Sequence, residues 1–344
     1  MTSSDARRHA TAVQQYGDNG GALAQLIGQE NRGLEYMFIM MNAARFGVGV
    51  QGIALAERAT QKAVQFARDR VQSRPVDGSM NKAAPIIHHP DVRRMLMTMR
   101  AHTEGCRAMA LVAAAAFDAA HAHGDAEVRR QNQAFYEFMV PLIKGLSTEM
   151  SLEVASLGVQ VHGGMGFIEE TGAAQYLRDA KILSIYEGTT AIQANDLVGR
   201  KTARDGGATA RAIAAQMVAT EAALNERGDA ACASIAARLA AARKAFVDVV
   251  DYVVAQGKTQ PNDVFAGSVP YLMLAGITVA GWQMARAALV AQERVAAGDD
   301  VAFMQAKLAT ARFYAEHILN KAAGLRDSIV DGAQSVTALS LESF

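Results

Sequence analysis

Cysteine is scarce in this chain. Only Cys106 and Cys232 occur, both in apolar-patterned stretches, which argues against a disulfide framework and for a reduced, cytoplasmic setting. An excess of either charge is missing too, because 34 Lys and Arg balance 34 Asp and Glu. A general nucleic-acid binder needs a basic face to neutralise phosphates, so that class is disfavoured, although a local anion site is not. Long hydrophobic runs are lacking. The most apolar stretch, Val269 to Trp282, is shorter than the roughly 18–20 residues that span a bilayer, and it reads as a buried helix rather than a membrane segment. Met1 to Gln15 is polar and has no apolar core, so no secretory signal is expected there. Proline is rare as well, with six in 344 residues. Few breakers among many Ala, Leu, Met, Gln, Glu and Arg predict a mostly α protein.

About half of the residues are hydrophobic, enough for a large core, and the length leaves room for two or more domains at roughly 100–200 residues each. Apolar residues recur with helical spacing at Leu34, Met37, Phe38, Met41, Val48, Leu55 and Phe66, predicting a helix over about 33–71. A second stripe runs from Val92 through Leu96, Met99, Cys106, Met109 and Ala113 to Phe117. Pro90 suits its first turn and Gly124 its end. A third helix is predicted over 126–160, with Pro141 as a candidate kink, and shorter ones near 171–184 and 189–204. Arg204-Asp205-Gly206-Gly207 reads as a linker, followed by three or four more helices. Ser73 to Ile87 is an irregular excursion, long for a bundle connection and so a candidate functional segment. Ala22 to Ile27 reads as a lone strand, the tail of a sheet whose partners are absent.

Residues with chemical potential crowd between Gln160 and Gln193. Gln160-Val161-His162-Gly163-Gly164-Met165-Gly166-Phe167 ends a helix in glycines that let backbone N–H groups approach a phosphate or ribose, or that merely terminate the helix. Arg178-Asp179-Ala180-Lys181 and Tyr186-Glu187-Gly188-Thr189-Thr190 follow. Glu187 falls between two predicted helices. Partial desolvation there would make its carboxylate a better base; the plainer reading is a helix-start glutamate facing the dipole. His88-His89 and His121-Ala122-His123 lack metal-ligand spacing, and no metal site is expected. Neither a Walker loop, a nucleophile elbow nor a Rossmann fingerprint is present. Met37, Met40 and Met41 read as core, with an acyl pocket as the alternative.

Taken in order, these motifs resemble the acyl-CoA dehydrogenase family. Leu26 to Gly33 looks like the exit from that family's central β domain. Ala44-Arg45-Phe46-Gly47 through Ala59 is similar to its first long C-terminal helix, and Asp69-Arg70-Val71-Gln72 to its Arg-x-Gln segment. The segments Gln160–Phe167, Arg178–Lys181 and Tyr186–Thr189 complete the set. From 207 onward the chain resembles the extra helical domain of a longer branch of that family. The expected fold is therefore all-α, with a β-domain remnant over 1–31, a C-terminal helical domain over 32–204 and an additional helical domain over 207–344.

The resemblance implies an FAD-dependent enzyme that converts an acyl-CoA thioester to a trans-2-enoyl-CoA. Glu187 would be the base that removes the α-proton. Arg70 and Gln72 match positions that contact FAD of the neighbouring subunit, and Gln160, Gly163 and Gly164 match the segment at its adenosine diphosphate part. Thr189 matches an FAD contact, while Arg45 and Gly188 match positions near the substrate. For Arg45, a charge pair within the bundle is the plain alternative. Implied partners are the acyl-CoA, further copies in a homodimer or homotetramer, and an electron-transfer flavoprotein as electron acceptor; nucleic acid and membrane are not expected. The chain departs from the family after Gln72, where Phe-Gly is usual and Ser73-Arg74-Pro75 stand instead. It also lacks the family's N-terminal helical domain and nearly all of its β domain, so a truncated, non-catalytic helical remnant acting as a dimerisation or protein-interaction module is the alternative reading. The acyl group is not set by these motifs.

Overall fold

The computed structural model describes residues 15–344, without the side chains of Phe38 and Ile39. The expectation for the polar N-terminus thus lies almost wholly outside the described residues, as does the packing of Phe38 in the first stripe. The described chain is all-α. Helix α1 spans Gly33–Asp69, α2 Pro90–Ala122 and α3 Ala126–His162. Pro90 occupies the first turn of α2, where its missing N–H costs no hydrogen bond. Asp125 caps α3 by accepting from the Glu127 N–H at 2.7 Å, and α3 runs on through Pro141 to Gly163. Short helices α4 (Gly164–Phe167) and α5 (Ala173–Leu183) lead to α6 (Thr190–Asp196), which Thr189 caps and which continues as a π-helical stretch, Leu197–Ala203.

Small residues govern how α1 meets α3. A Cβ added at Gly49 would lie 2.6 Å from Ile143 Cγ2, and one at Gly52 would lie 2.7 Å from the Ser147 carbonyl oxygen. The two helices therefore touch along their backbones, and the middle of α3 sits directly beneath α1. Between α1 and α2, the excursion is an ordered arm. The Gln72 N–H donates to Ala84 O at 3.0 Å and the Ile86 N–H to Arg70 O at 2.8 Å, with a bridge between Val71 and Pro85.

The expected strand at Ala22–Ile27 does not form: the segment has no regular secondary structure and is exposed. A single extended segment cannot satisfy its backbone groups without a neighbouring strand, and the described residues supply none. After 203 the chain turns tightly, the Gly207 N–H donating to Thr202 O at 2.8 Å. It then forms α7 (Ala208–Glu226), α8 (Ala230–Gln256), α9 (Pro261–Ala266), α10 (Ser268–Ala296), α11 (Val301–Tyr314), α12 (Lys321–Val330) and α13 (Ala333–Val336). That is more than the three or four helices expected, because Pro261, Gly267 and the Gly298 turn divide what periodicity alone joins. Helix α10 packs on α2 and α3 as well as on α7, α8, α11 and α12, so both halves share one apolar core. By length and hydropathy alone, α1 and α10 could cross a membrane. The apolar stretch of α10 is longer than the sequence reading allowed, and 72% of it is buried within the fold.

Candidate functional site

The expected site residues fall into two groups. The first lies where α1 and α3 end. Arg70, Gln72, Gln160, Gly163 and Gly164 line one cleft of about 660 Å³, together with Phe66, His89, Val92, His162 and Met165. The Phe66 and His162 rings stack with centroids 4.3 Å apart, giving the cleft a flat wall. His162 Nδ1 bonds to Gly158 O at 2.7 Å, and burial lowers the affinity of the imidazole for a proton. His89 Nε2 meets Gln72 O at 2.7 Å and braces the arm. Around Gly163 and Gly164 the space is open, so a ligand can reach the main chain. An exposed guanidinium, two carboxamides, an aromatic wall and bare backbone suit a flat, anionic molecule.

The second group surrounds Glu187. This residue has φ 56° and Gly188 has φ 84°. A left-handed backbone costs a non-glycine residue roughly 1–2 kcal/mol, and it persists where surrounding contacts over-determine it. Those contacts come from α3 and α6. Lys144, completely buried, donates from Nζ to Gly188 O at 2.7 Å. Gln193, equally buried, donates from Nε2 to Gly188 O at 3.2 Å and to Glu187 O at 3.4 Å. Thr190 bonds through Oγ1 to Glu149 and through its N–H to Ser184 O, and the Tyr186 hydroxyl donates to Gln51. The Glu187 side chain itself remains half-exposed, between the exposed Ile185 and Ile192. Thr189 is spent on capping, accepting from the Ile192 N–H.

Arg45 lies beneath this corner, 6% exposed, with Nη1 3.2 Å from Asp196 Oδ2. The structure thus supplies the charge partner that the plainer reading required. Burial pulls the Lys144 ammonium down to about 8, with Arg45 adding to the effect while Glu149 and Glu187 oppose it. Lys144, Glu149 and Asp196 were missed from sequence. The available signal was a lysine inside the otherwise apolar run Phe138-Met139-Val140-Pro141-Leu142-Ile143, where an amphipathic helix would not place one. From Lys144 to Gln160 is about 24 Å along α3 at 1.5 Å per residue, so the two groups are distinct sites on one scaffold. Among the described residues no cluster of three or more His, Cys, Asp or Glu forms a metal site.

Comparison with known proteins decides what this scaffold is. Residues 31–202 match the family described as acyl-CoA dehydrogenase, C-terminal domain, and residues 212–340 match the one described as acetyl-CoA dehydrogenase C-terminal like. The chain belongs to the acyl-CoA dehydrogenase family. It is 55% identical to 3-methylmercaptopropionyl-CoA dehydrogenase of Ruegeria pomeroyi over 97% of its own length and 56% of that protein. It is 36% identical to the broad-specificity linear acyl-CoA dehydrogenase FadE5 of Mycobacterium tuberculosis, over 93% of this chain and 54% of the relative. The chain therefore spans about half the length of these curated relatives. In fold it resembles an acyl-CoA dehydrogenase from Bacillus anthracis solved with FAD, with a TM-score of 0.67 at 19% identity, covering 89% of this chain and 52% of the other.

Proposed function

We propose that this chain forms the base-carrying helical part of an FAD-dependent acyl-CoA dehydrogenase, with Glu187 removing the α-proton of an acyl-CoA thioester to give a trans-2-enoyl-CoA. The observation that carries this reading is the Glu187–Gly188 corner: a half-exposed carboxylate on a left-handed backbone that buried donors hold from below. Such a carboxylate meets the main requirement on a general base for a weakly acidic C–H, namely a fixed position.

FAD fits the groups present. The cleft at Arg70, Gln72, Gln160, Gly163 and Gly164 offers a cation, carboxamides and open main chain to the adenosine diphosphate part, and a stacked aromatic wall beside them. Thr189 stands next to the base and would meet the flavin end. When bound, FAD supplies the two-electron acceptor for the β-hydrogen, a role no side chain fills. The distance of about 24 Å along α3 between the two groups suits an arrangement in which they serve flavins of different subunits, hence a homo-oligomer. Gly188 admits no larger residue, since an added Cβ would lie 2.8 Å from Gln193 Nε2, and Arg45 acts through Asp196 from below. An electron-transfer flavoprotein would take the electrons onward.

The test uses the purified chain, alone and fused behind the preceding half of the Ruegeria pomeroyi relative, each reconstituted with FAD. The fused protein is expected to be yellow and to bleach anaerobically with acyl-CoA. Glu187→Gln should retain flavin and slow bleaching by about 10²–10⁴-fold; an undiminished rate refutes the base. A protein that stays colourless and inert in both forms favours the non-catalytic interaction module, for which the exposed Leu34, Met37, Met40 and Phe167 would form contacts.

A further inference from the structure

Glu187 and Gly188 both hold left-handed backbone angles at the bend between α5 and α6. Local sequence accounts for only half of this. Gly188 adopts a positive φ freely, whereas glutamate does not. The contacts that enforce the bend arrive from elsewhere, and the shorter of the two side-chain bonds onto the Gly188 carbonyl comes from Lys144, 44 residues away in sequence, at 2.7 Å. Lysine is among the side chains least often fully buried, and a methionine of similar reach would fill the space without the desolvation cost. Yet Lys144 is completely enclosed, and its Nζ is spent on one main-chain carbonyl. Glu149 and Glu187 face it as opposite charges and Arg45 as a like charge, the last tied to Asp196. Packing alone gives no reason for an ammonium here.

We propose that Lys144 is the positioning residue for Glu187: its buried ammonium holds the Gly188 carbonyl and so fixes the left-handed pair that presents the carboxylate. The proposal rests on Glu187 being the base. Gln193 backs the same carbonyl at 3.2 Å, and Thr190 anchors the far side of the bend to Glu149. A displacement of an ångström at such a corner separates a base from the proton it must reach, which costs on the order of 10²-fold in rate. No proton need leave Lys144 in this role.

Hydrogen exchange on the chain as it stands tests the idea without turnover. Lys144→Met is expected to speed exchange across 184–193 about tenfold while the rest of α1 and α3 keeps its protection. Unchanged exchange in that segment, or loss of protection along all of α3, would overturn it. Should the methionine variant not fold, Lys144→Gln, whose amide is too short to reach Gly188 O, is expected to open the same segment. Glu187→Gly removes the strain that Lys144 opposes, so the Lys144→Met effect should shrink in that background; full additivity counts against the proposal. In solution the Lys144 Cε resonance should titrate near 8 and move lower in Glu187→Gln, whereas titration like a surface lysine contradicts the enclosed contact. In the fused flavoprotein, Lys144→Met should lower kcat with little change in KM. An opened loop with undiminished kcat refutes positioning. If Glu187→Gln leaves bleaching intact while Lys144→Met still opens the loop, the base assignment alone has failed.

Discussion

The Glu187 corner and the Arg70–Gly164 cleft are built on opposite plans. At the corner, buried groups from two helices, α3 and α6, hold a strained backbone, and only the carboxylate reaches outward. At the cleft, the exposed ends of α1 and α3 offer side chains and bare glycine to an open space. The corner is thus shaped before any ligand arrives, while the cleft presents groups that a ligand would order. Removal of corner groups should alter structure and stability, whereas removal of cleft groups should alter affinity alone.

The contrast breaks most visibly under the corner. Gly52→Val forces a side chain against the Ser147 carbonyl, where an added Cβ already lies 2.7 Å away. Overpacking of this kind should lower stability by about 3 kcal/mol, measurable by urea denaturation, and should shift α3 and with it Lys144; a neutral outcome would mean the helices can separate without cost. A smaller effect comes from pH. The folded Lys144 loses its proton near 8, below the 10.5 of an ordinary lysine. Below 8 the ammonium is charged in both states and its burial cost is fully present. Between 8 and 10.5 only the unfolded chain keeps the proton, so this group adds stability as pH rises through that window. Lys144→Met should flatten that part of the stability–pH curve; an unchanged slope would show that another group causes it. Smallest of all is the cleft. Arg70→Ala should leave stability within about 0.5 kcal/mol and weaken flavin binding in the fused protein about tenfold. A large loss of stability would show that the cleft is preset like the corner.

Helices were legible in the sequence because their signals are local. Pro90 marks a start that the structure confirms, as do the predicted starts near 126 and 189, and period-3.6 stripes set the long helices. The Ala22–Ile27 strand does not form because the partners that the sequence reading already found absent are what a strand needs. Helices beyond 256 were undercounted because stripes continue across short turns. Cleft residues were named only through the family resemblance; sequence proximity alone grouped residues 160–164 with Glu187, whereas the fold sets them beside Arg70 and Gln72. The support of Glu187 was not legible. Lys144 lies 44 residues from Gly188 and Arg45 lies 151 from Asp196, and a lysine in an apolar run does not say which distant carbonyl it meets. Nor does glutamate signal a left-handed backbone; only the adjacent Gly188 hints at it.

The central claim is that Glu187 removes a proton from the carbon beside the thioester, and isotope exchange reads that step apart from oxidation. The fused protein is incubated in deuterated water with an acyl-CoA, and deuterium at the α-carbon is followed by mass spectrometry. The account predicts rapid incorporation by the unmodified protein and a loss of about 10²-fold or more in Glu187→Gln with flavin still bound. Equal incorporation by the two proteins would contradict it.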